Sequence, residues 1–169
     1  MNVRVFIRNI QKGERCNKCN GSRLSIFSKQ FFLGDKSFYE PVQMDIENLY
    51  SYTKILPLKL RRENKSLKKV NTILEVAVDI GLGHLNLLRK AKTVSAGEYQ
   101  RLLLLKYLSY EGVGSLFVFD EPSQGLSQKE KLGLMRGFKK LVSQKNTVVL
   151  IDHGKFFREK SDYLIEMGP

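Results

Sequence analysis

Two kinds of apolar pattern share the chain from Val70 onward. Over Asn71 to Val78, about Gly97 to Leu108 and about Gln128 to Ser143, apolar residues recur every three or four positions, the spacing of helices with one buried face. Between and after them stand two short apolar runs, SLFVFD at 115–120 and TVVLID at 147–152, bounded by turn-forming residues. Continuous runs of this kind predict strands covered on both faces. A glycine-punctuated turn at GLGHL, a short amphipathic helix from Lys155 and a last strand near YLIEM complete this part. Strands alternating with helices predict an α/β fold with a largely parallel sheet and flanking helices.

Residues before Val70 read differently. Up to about Tyr39 the chain is strand-like and rich in turns, with alternation in VRVFI and with Cys16 and Cys19 in a loop followed by Gly21. From Val42 it turns helical in tone and ends in KLRRENKSLKK, where Lys59, Arg61, Arg62, Lys65, Lys68 and Lys69 stand against the single acid Glu63. The expected division is a small N-terminal module over 1–40, a basic helical connector over 41–69 and the α/β part over 70–169.

Composition narrows the classes. The 169 residues suffice for one domain with its own core, and 42% hydrophobic content argues against wholesale disorder. No stretch is apolar for long enough to cross a bilayer, and MNVRVFIRNIQKGERC interleaves arginines with its apolar residues, unlike a secretory signal. The expectation is a cytoplasmic chain with no membrane partner. A net charge of +12 favours partners that carry phosphates, whether nucleic acid or nucleotide. Two cysteines cannot make a disulfide framework, and the CNKC spacing suits metal or redox chemistry in a reducing compartment.

Candidate chemistry concentrates where the two apolar runs end, in Asp120 with Glu121 and in Asp152 with His153. Ligands of open parallel sheets bind beyond the carboxyl ends of the strands. Adjacent carboxylates there can hold Mg²⁺ through water and activate a water, and a histidine on the neighbouring strand can reach a transferring phosphate. Ordinary solvated strand ends are the competing reading. In TVSAGEYQR, Ser95 and Glu98 form the S-x-x-E pattern of a capping box, which a plain helix start explains; the same helix N-terminus offers backbone N–H groups and a positive dipole end to a phosphate. The basic run is either a solvated linker or a surface that tracks phosphates without reading bases.

Three of these segments together resemble one family. VSAGEYQR resembles the signature of ABC ATPases, FVFDEPSQGLS their Walker B strand and D-loop, and VVLIDHG their switch-histidine strand, in family order and at family-like spacing. NTILEVAVDIGLGHLNLLRKAKTVSAGEYQR, the closing DYLIEMGP, and ERCNKCNGSR followed by LGDKSFYEPVQMDIENLYSY are similar to the C-terminal half of the UvrA family, the damage-recognition ATPases of nucleotide excision repair. The resemblance covers nearly the whole chain and starts within the family's zinc module. It implies that Ser95, Ala96, Gly97 and Glu98 meet the γ-phosphate of ATP held on another nucleotide-binding lobe. Asp120 would position Mg²⁺, Glu121 would be the general base, Gly125 and Ser127 would lie in the D-loop, and His153 would sense the γ-phosphate. Ala96 stands where the family usually has glycine, and Asp152 where a glutamate usually precedes the histidine.

The resemblance also sets expectations about what surrounds the chain. A phosphate-cradling loop needs G-x-x-x-x-G-K-[ST], and no segment of the sequence fits it. The chain thus resembles the downstream part of a longer protein, whose ATP site a P-loop segment and a second lobe would complete. Cys16 and Cys19 would be half of a tetrahedral zinc site. DNA, a second copy or a UvrA-like partner subunit, and other excision-repair subunits are the implied partners, and ATP, Mg²⁺ and Zn²⁺ the implied cofactors. A non-catalytic module that docks on such a partner or on DNA, and an ABC ATPase serving transport or translation, are the alternatives.

Overall fold

Short polar caps and one proline set the helix boundaries of the first half. The structure, a computed structural model, describes residues 16–19 and 21–167; VRVFI lies outside the described residues. A 3₁₀ turn over Ile26–Gln30 leads into a two-stranded antiparallel hairpin, β1 (Phe32–Leu33) and β2 (Lys36–Ser37), followed by α1 (Tyr39–Gln43). The Asp45 carboxylate accepts the Asn48 N–H at 2.8 Å and opens α2 (Ile46–Ile55). After Pro57 comes α3 (Leu58–Glu63), and Asn64 then accepts the Leu67 N–H at 3.0 Å to open α4 (Lys65–Asp79). The basic run is therefore helical, and α4 begins earlier than the Asn71 expected from periodicity. Buried Leu67 anchors the added turn against Tyr52 and Leu56.

Helix α5 (Ala96–Leu108) follows a 3₁₀ turn at Ala91–Thr93; then come β3 (Leu116–Asp120), α6 (Gln128–Ser143), β4 (Thr147–Ile151) and the short α7 (Lys155–Arg158). Strands β3 and β4 pair in parallel, from Leu116 opposite Thr147 to Asp120 opposite Ile151. One hydrophobic core joins α2, α4, α5, α6, β3 and α7, through Leu49, Leu74, Leu108, Phe119, Leu134 and Phe157 among others. Phe138 packs between Phe119 and Phe157, with ring centroids at 4.9 and 6.0 Å; burying an aromatic ring of this size stabilises by roughly 1.5–3 kcal/mol. Close approach of α4 and α6 requires Gly133, where a Cβ would collide with the Asp79 carbonyl oxygen. Beside it Arg136 holds the Asp79 carboxylate at 2.7 Å.

Two expectations about the sheet fail, for related reasons. The apolar runs at 115–120 and 147–152 predict burial on both faces, yet only Phe117, Phe119, Val148 and Leu150 turn toward the core. Their neighbours face outward: Leu116 is 64% exposed, Val118 58%, Val149 43% and Ile151 48%. No second layer covers that face among the described residues. The strand expected near YLIEM does not form either: the segment is irregular, with Tyr163, Ile165 and Met167 exposed. A strand needs a neighbour to receive its hydrogen bonds, and this segment has none among the described residues. The α/β fold with a small parallel sheet and flanking helices is otherwise as expected.

Candidate functional site

The parallel register decides what meets at the strand ends. With Asp120 opposite Ile151, the next residue continues the pairing, since the Glu121 N–H donates to the Ile151 carbonyl at 2.8 Å. The chain then leaves the sheet abruptly. Glu121 has φ +44°, a left-handed conformation uncommon for a residue with a side chain, and Pro122 and Ser123 are buried beneath the turn. This geometry swings the Glu121 carboxylate toward the neighbouring strand end, 3.5 Å from His153 Nε2. Both groups face solvent, so their attraction contributes little to stability.

Around that pair the polar atoms are unevenly satisfied. Asp120 is exposed, and its side chain makes no hydrogen bond or ion pair among the described residues, leaving its carboxylate open to a hard cation. Asp152 accepts the Gly154 N–H on Oδ1 at 2.7 Å and so shapes the turn after β4; its Oδ2 is buried without a partner. No cluster of three or more His, Cys, Asp or Glu suited to a metal occurs among the described residues. The open Asp120 carboxylate is a donor of the kind Mg²⁺ takes, since that ion binds through one or two carboxylates while keeping waters and phosphate oxygens.

The N-terminus of α5 is a complete capping box. Ser95 Oγ accepts the Glu98 N–H at 3.3 Å, and the Ser95 N–H donates to Glu98 Oε2 at 2.7 Å. Hydrogen bonds from the Ser95 amide, His84 and the Ser95 hydroxyl, with the Arg89 charge nearby, hold the buried Glu98 carboxyl down to about 2. Ala96 and Gly97 are exposed, and the space in front of Gly97 is open. After Glu121 the turn passes through Gly125 at φ +72° to Ser127, which caps α6 with Glu130 in a second capping box. SQKE carries the same S-x-x-E pattern as SAGE, so this box was legible in the sequence. His84 and Arg89 were not: they reach Glu98 from 14 and nine residues away in the chain, and no spacing rule marks such contacts. No hydrogen bond or ion pair links the Ser95 group with the Asp120 group among the described residues.

Other sequence candidates stand apart. Cys16 and Cys19 are free thiols on one turn, where Ser22 donates to the Cys19 carbonyl. Backbone N–H groups of Cys19 and Lys18, and then the Cys19 thiol, lower the pKa of Cys16. Two sulfurs are an incomplete zinc donor set, and the described residues supply no third ligand. In the basic run, Arg61 donates to the Leu56 carbonyl at 2.9 Å and Lys69 lies 3.7 Å from Glu111. Lys59, Arg62, Lys65 and Lys68 are exposed, and their charged groups have no partner among the described residues. Lys65, Lys68 and Lys69 line an open depression with Ser66, Thr72 and Glu111. Among the described residues no helix is long and apolar enough to cross a membrane.

No protein-family model matches the chain. Individual proteins do. It is 32% identical over 166 residues to UvrABC system protein A of Clostridium tetani, a match to 96% of this chain and 18% of that protein. To UvrABC system protein A of Vibrio cholerae it is 32% identical over 170 residues, or 99% of this chain and 18% of the other. Its fold matches the crystal structure of UvrA2 from Deinococcus radiodurans with a TM-score of 0.66 at 23% identity, covering 88% of this chain and 20% of that one. The chain spans about a fifth of the length of these proteins. By sequence and by fold, then, it is a relative of UvrA that matches one segment of that protein over nearly all of its own length.

Proposed function

We propose that the chain supplies the signature, Walker B and switch-histidine elements of a UvrA-like ATPase, which couples Mg²⁺-dependent ATP hydrolysis to recognition of damaged DNA in nucleotide excision repair. The observation that carries this reading is the meeting of Glu121 with His153 at 3.5 Å across two parallel strand ends, beside the unpartnered Asp120. When bound, Mg²⁺ would neutralise charge on the β- and γ-phosphates. Asp120 would hold that ion through its water shell. Glu121 would take the proton of the attacking water. His153 would donate a hydrogen bond to a γ-phosphate oxygen, and the open N–H groups at the start of α5 would face the γ-phosphate of a nucleotide bound on a second lobe.

The sequence contains no P-loop motif, so the phosphate cradle is assigned to another polypeptide segment. The outward side chains Leu116, Val118, Val149 and Ile151 favour a covering segment on that sheet face. DNA is the expected partner of the free lysines and arginines on α3 and α4, and a second copy or a UvrA-like subunit the expected partner of the α5 N-terminus. Other excision-repair subunits would join in a cytoplasmic assembly. Cys16 and Cys19 would donate two of four zinc ligands, with the others from outside the described residues. The division into 1–40, 41–69 and 70–169 is retained as a functional partition within this proposal.

ATP hydrolysis by the chain, alone and mixed with a separately expressed segment carrying a P-loop, tests the reading. Turnover only in the mixture, lost in Glu121→Gln, is expected. A mixture that assembles without turnover would favour a second reading, a docking module that binds its partner or DNA without catalysis. The absent P-loop motif is what recommends that alternative.

A further inference from the structure

The two capping boxes provide an internal comparison. Both have a Ser at the cap and a Glu three residues on, with the reciprocal pair of hydrogen bonds. Glu130 of the α6 box bonds only to Ser127 among the described residues. Glu98 of the α5 box, 7% exposed, takes two further donors: His84 Nε2 at 2.8 Å and Arg89 Nη1 at 3.1 Å. Helix capping alone does not require them, since α6 begins without such help.

These extra donors tie the α5 N-terminus to the chain before it. Arg89 also donates from Nη2 to the Thr93 carbonyl at 2.8 Å and from Nε to Thr93 Oγ1 at 3.3 Å, which fixes the 3₁₀ turn leading into Ser95. His84 comes from the turn after α4, whose first residue, Gly81, packs so closely on α6 that a Cβ would overlap the Glu130 carboxylate. Burial raises the Glu130 pKa, yet the Ser127 hydroxyl and amide, with Arg101 and His84 nearby, leave it lowered on balance. One turn, Gly81 to Leu85, thus touches both helix mouths.

We infer that His84 and Arg89 are positioning residues for the ATPase site proposed above, clamping Glu98 so that the N-terminus of α5 keeps its outward N–H groups free and fixed relative to α6. The inference rests on that reading of the α5 N-terminus as a phosphate-facing element. Its physical reason is competition. A carboxylate released at a helix N-terminus sits beside the same dipole end and N–H groups that a phosphate would use. Held by an arginine and a histidine, it satisfies the Ser95 N–H and stays out of the way.

The test uses the full chain with His84→Ala, His84→Gln, Arg89→Met and, as a control for general destabilisation, Arg136→Met, which breaks the exposed bridge to Asp79. Amide hydrogen exchange is followed at Ser95, Ala96 and Gly97, and kcat and KM for ATP are measured in the mixture with a P-loop segment. For His84→Ala and Arg89→Met, exchange at Ser95 is expected to rise about tenfold relative to the α5 interior. In the same variants kcat should fall about tenfold with KM within about twofold, the signature of lost positioning. His84→Gln, which keeps an N–H donor, should restore both, and Arg136→Met should change neither. Exchange at Ser95 within twofold of the unaltered chain would overturn the clamp. Faster exchange with unchanged kcat would reduce it to a helix-cap stabiliser and overturn the positioning role. A mixture of unaltered components that hydrolyses no ATP would sink the reading of the site above, while exchange at Ser95 would still decide the clamp.

Discussion

Asn146 holds the start of the parallel sheet, and replacing it with alanine should cost more than any single surface contact. Its side chain is buried, at 6% exposure. Oδ1 accepts the Ser115 N–H at 3.0 Å, and Nδ2 donates to the carbonyls of Gly112 at 2.9 Å and Leu141 at 3.1 Å. One amide thus ties the turn before β3, the end of α6 and the entry to β4. Each such bond contributes about 1 kcal/mol net, and a buried donor left unpaired costs about 1–3 kcal/mol. Three bonds lost at one site, the Ser115 N–H left without its acceptor, give a loss of about 3–5 kcal/mol for Asn146→Ala. Asn146→Asp keeps the acceptor for Ser115 but turns a donor into a carboxylate oxygen facing two carbonyls, so it should be at least as damaging. Urea unfolding followed by far-UV circular dichroism measures this as a fall in midpoint at unchanged slope. A loss below about 0.5 kcal/mol for Asn146→Ala, the range of neutral surface changes, would refute the view that this amide holds β3 and β4 together.

The remaining expectations test other parts of the molecule. Glu98 has a folded pKa of about 2 against an ordinary 4.5; being depressed, it contributes stability above the unfolded value that is lost as pH falls from about 4.5 toward 2. The urea midpoint should drop through that window, and Glu98→Gln should flatten the drop; an unchanged acid limb in the variant would count against the clamp. Val118→Asp places a charge on an exposed site, so the isolated chain should lose less than about 0.5 kcal/mol. The same variant should fail to assemble with a covering P-loop segment in a pull-down, and normal assembly would exclude that face as the docking surface. Lys68→Ala should weaken binding to DNA of any sequence and lower the salt slope by about one, read from anisotropy titrations at several salt concentrations; an unchanged slope would remove α4 from the DNA surface.

Local chemistry was the most legible part of the sequence. Ser95 with Glu98 announced the start of α5, and the structure supplies both hydrogen bonds of the box. The two apolar runs with their closing Asp-Glu and Asp-His pairs marked β3, β4 and their parallel arrangement, but not the register, which sets Asp120 opposite Ile151 and not opposite Asp152. Long-range contacts were not legible. Nothing in the spacing of Arg89 and His84 reports that both reach one carboxylate. The early start of α4 escaped periodicity for a different reason: Lys65, Ser66, Lys68 and Lys69 dilute the apolar repeat, and only the cap on Asn64 and the burial of Leu67 reveal the extra turn.

The misread sheet is the most instructive departure, because the local pattern there was sound while no layer among the described residues covers it. Leu116, Val118, Val149 and Ile151 are apolar at four of the six outward positions of the two strands, with Thr147 and Asp120 at the others, a pattern suited to burial, yet they meet solvent. Covering four half-exposed side chains of this size is worth roughly 1 kcal/mol each, too little to hold two molecules together against the entropy of association but enough to favour a segment brought close by other contacts. Residues 163–167 point the same way. Tyr163, Leu164 and Ile165 suit a strand, yet they stay irregular and pair with no strand among the described residues. A single added layer would satisfy both regions at once, and it would do so beside the carboxyl ends of β3 and β4, where Asp120, Glu121 and His153 form the proposed phosphate site. Folding and catalysis would then depend on the same docking event, so a variant of the bare face that blocks assembly should abolish turnover without touching any residue of the site.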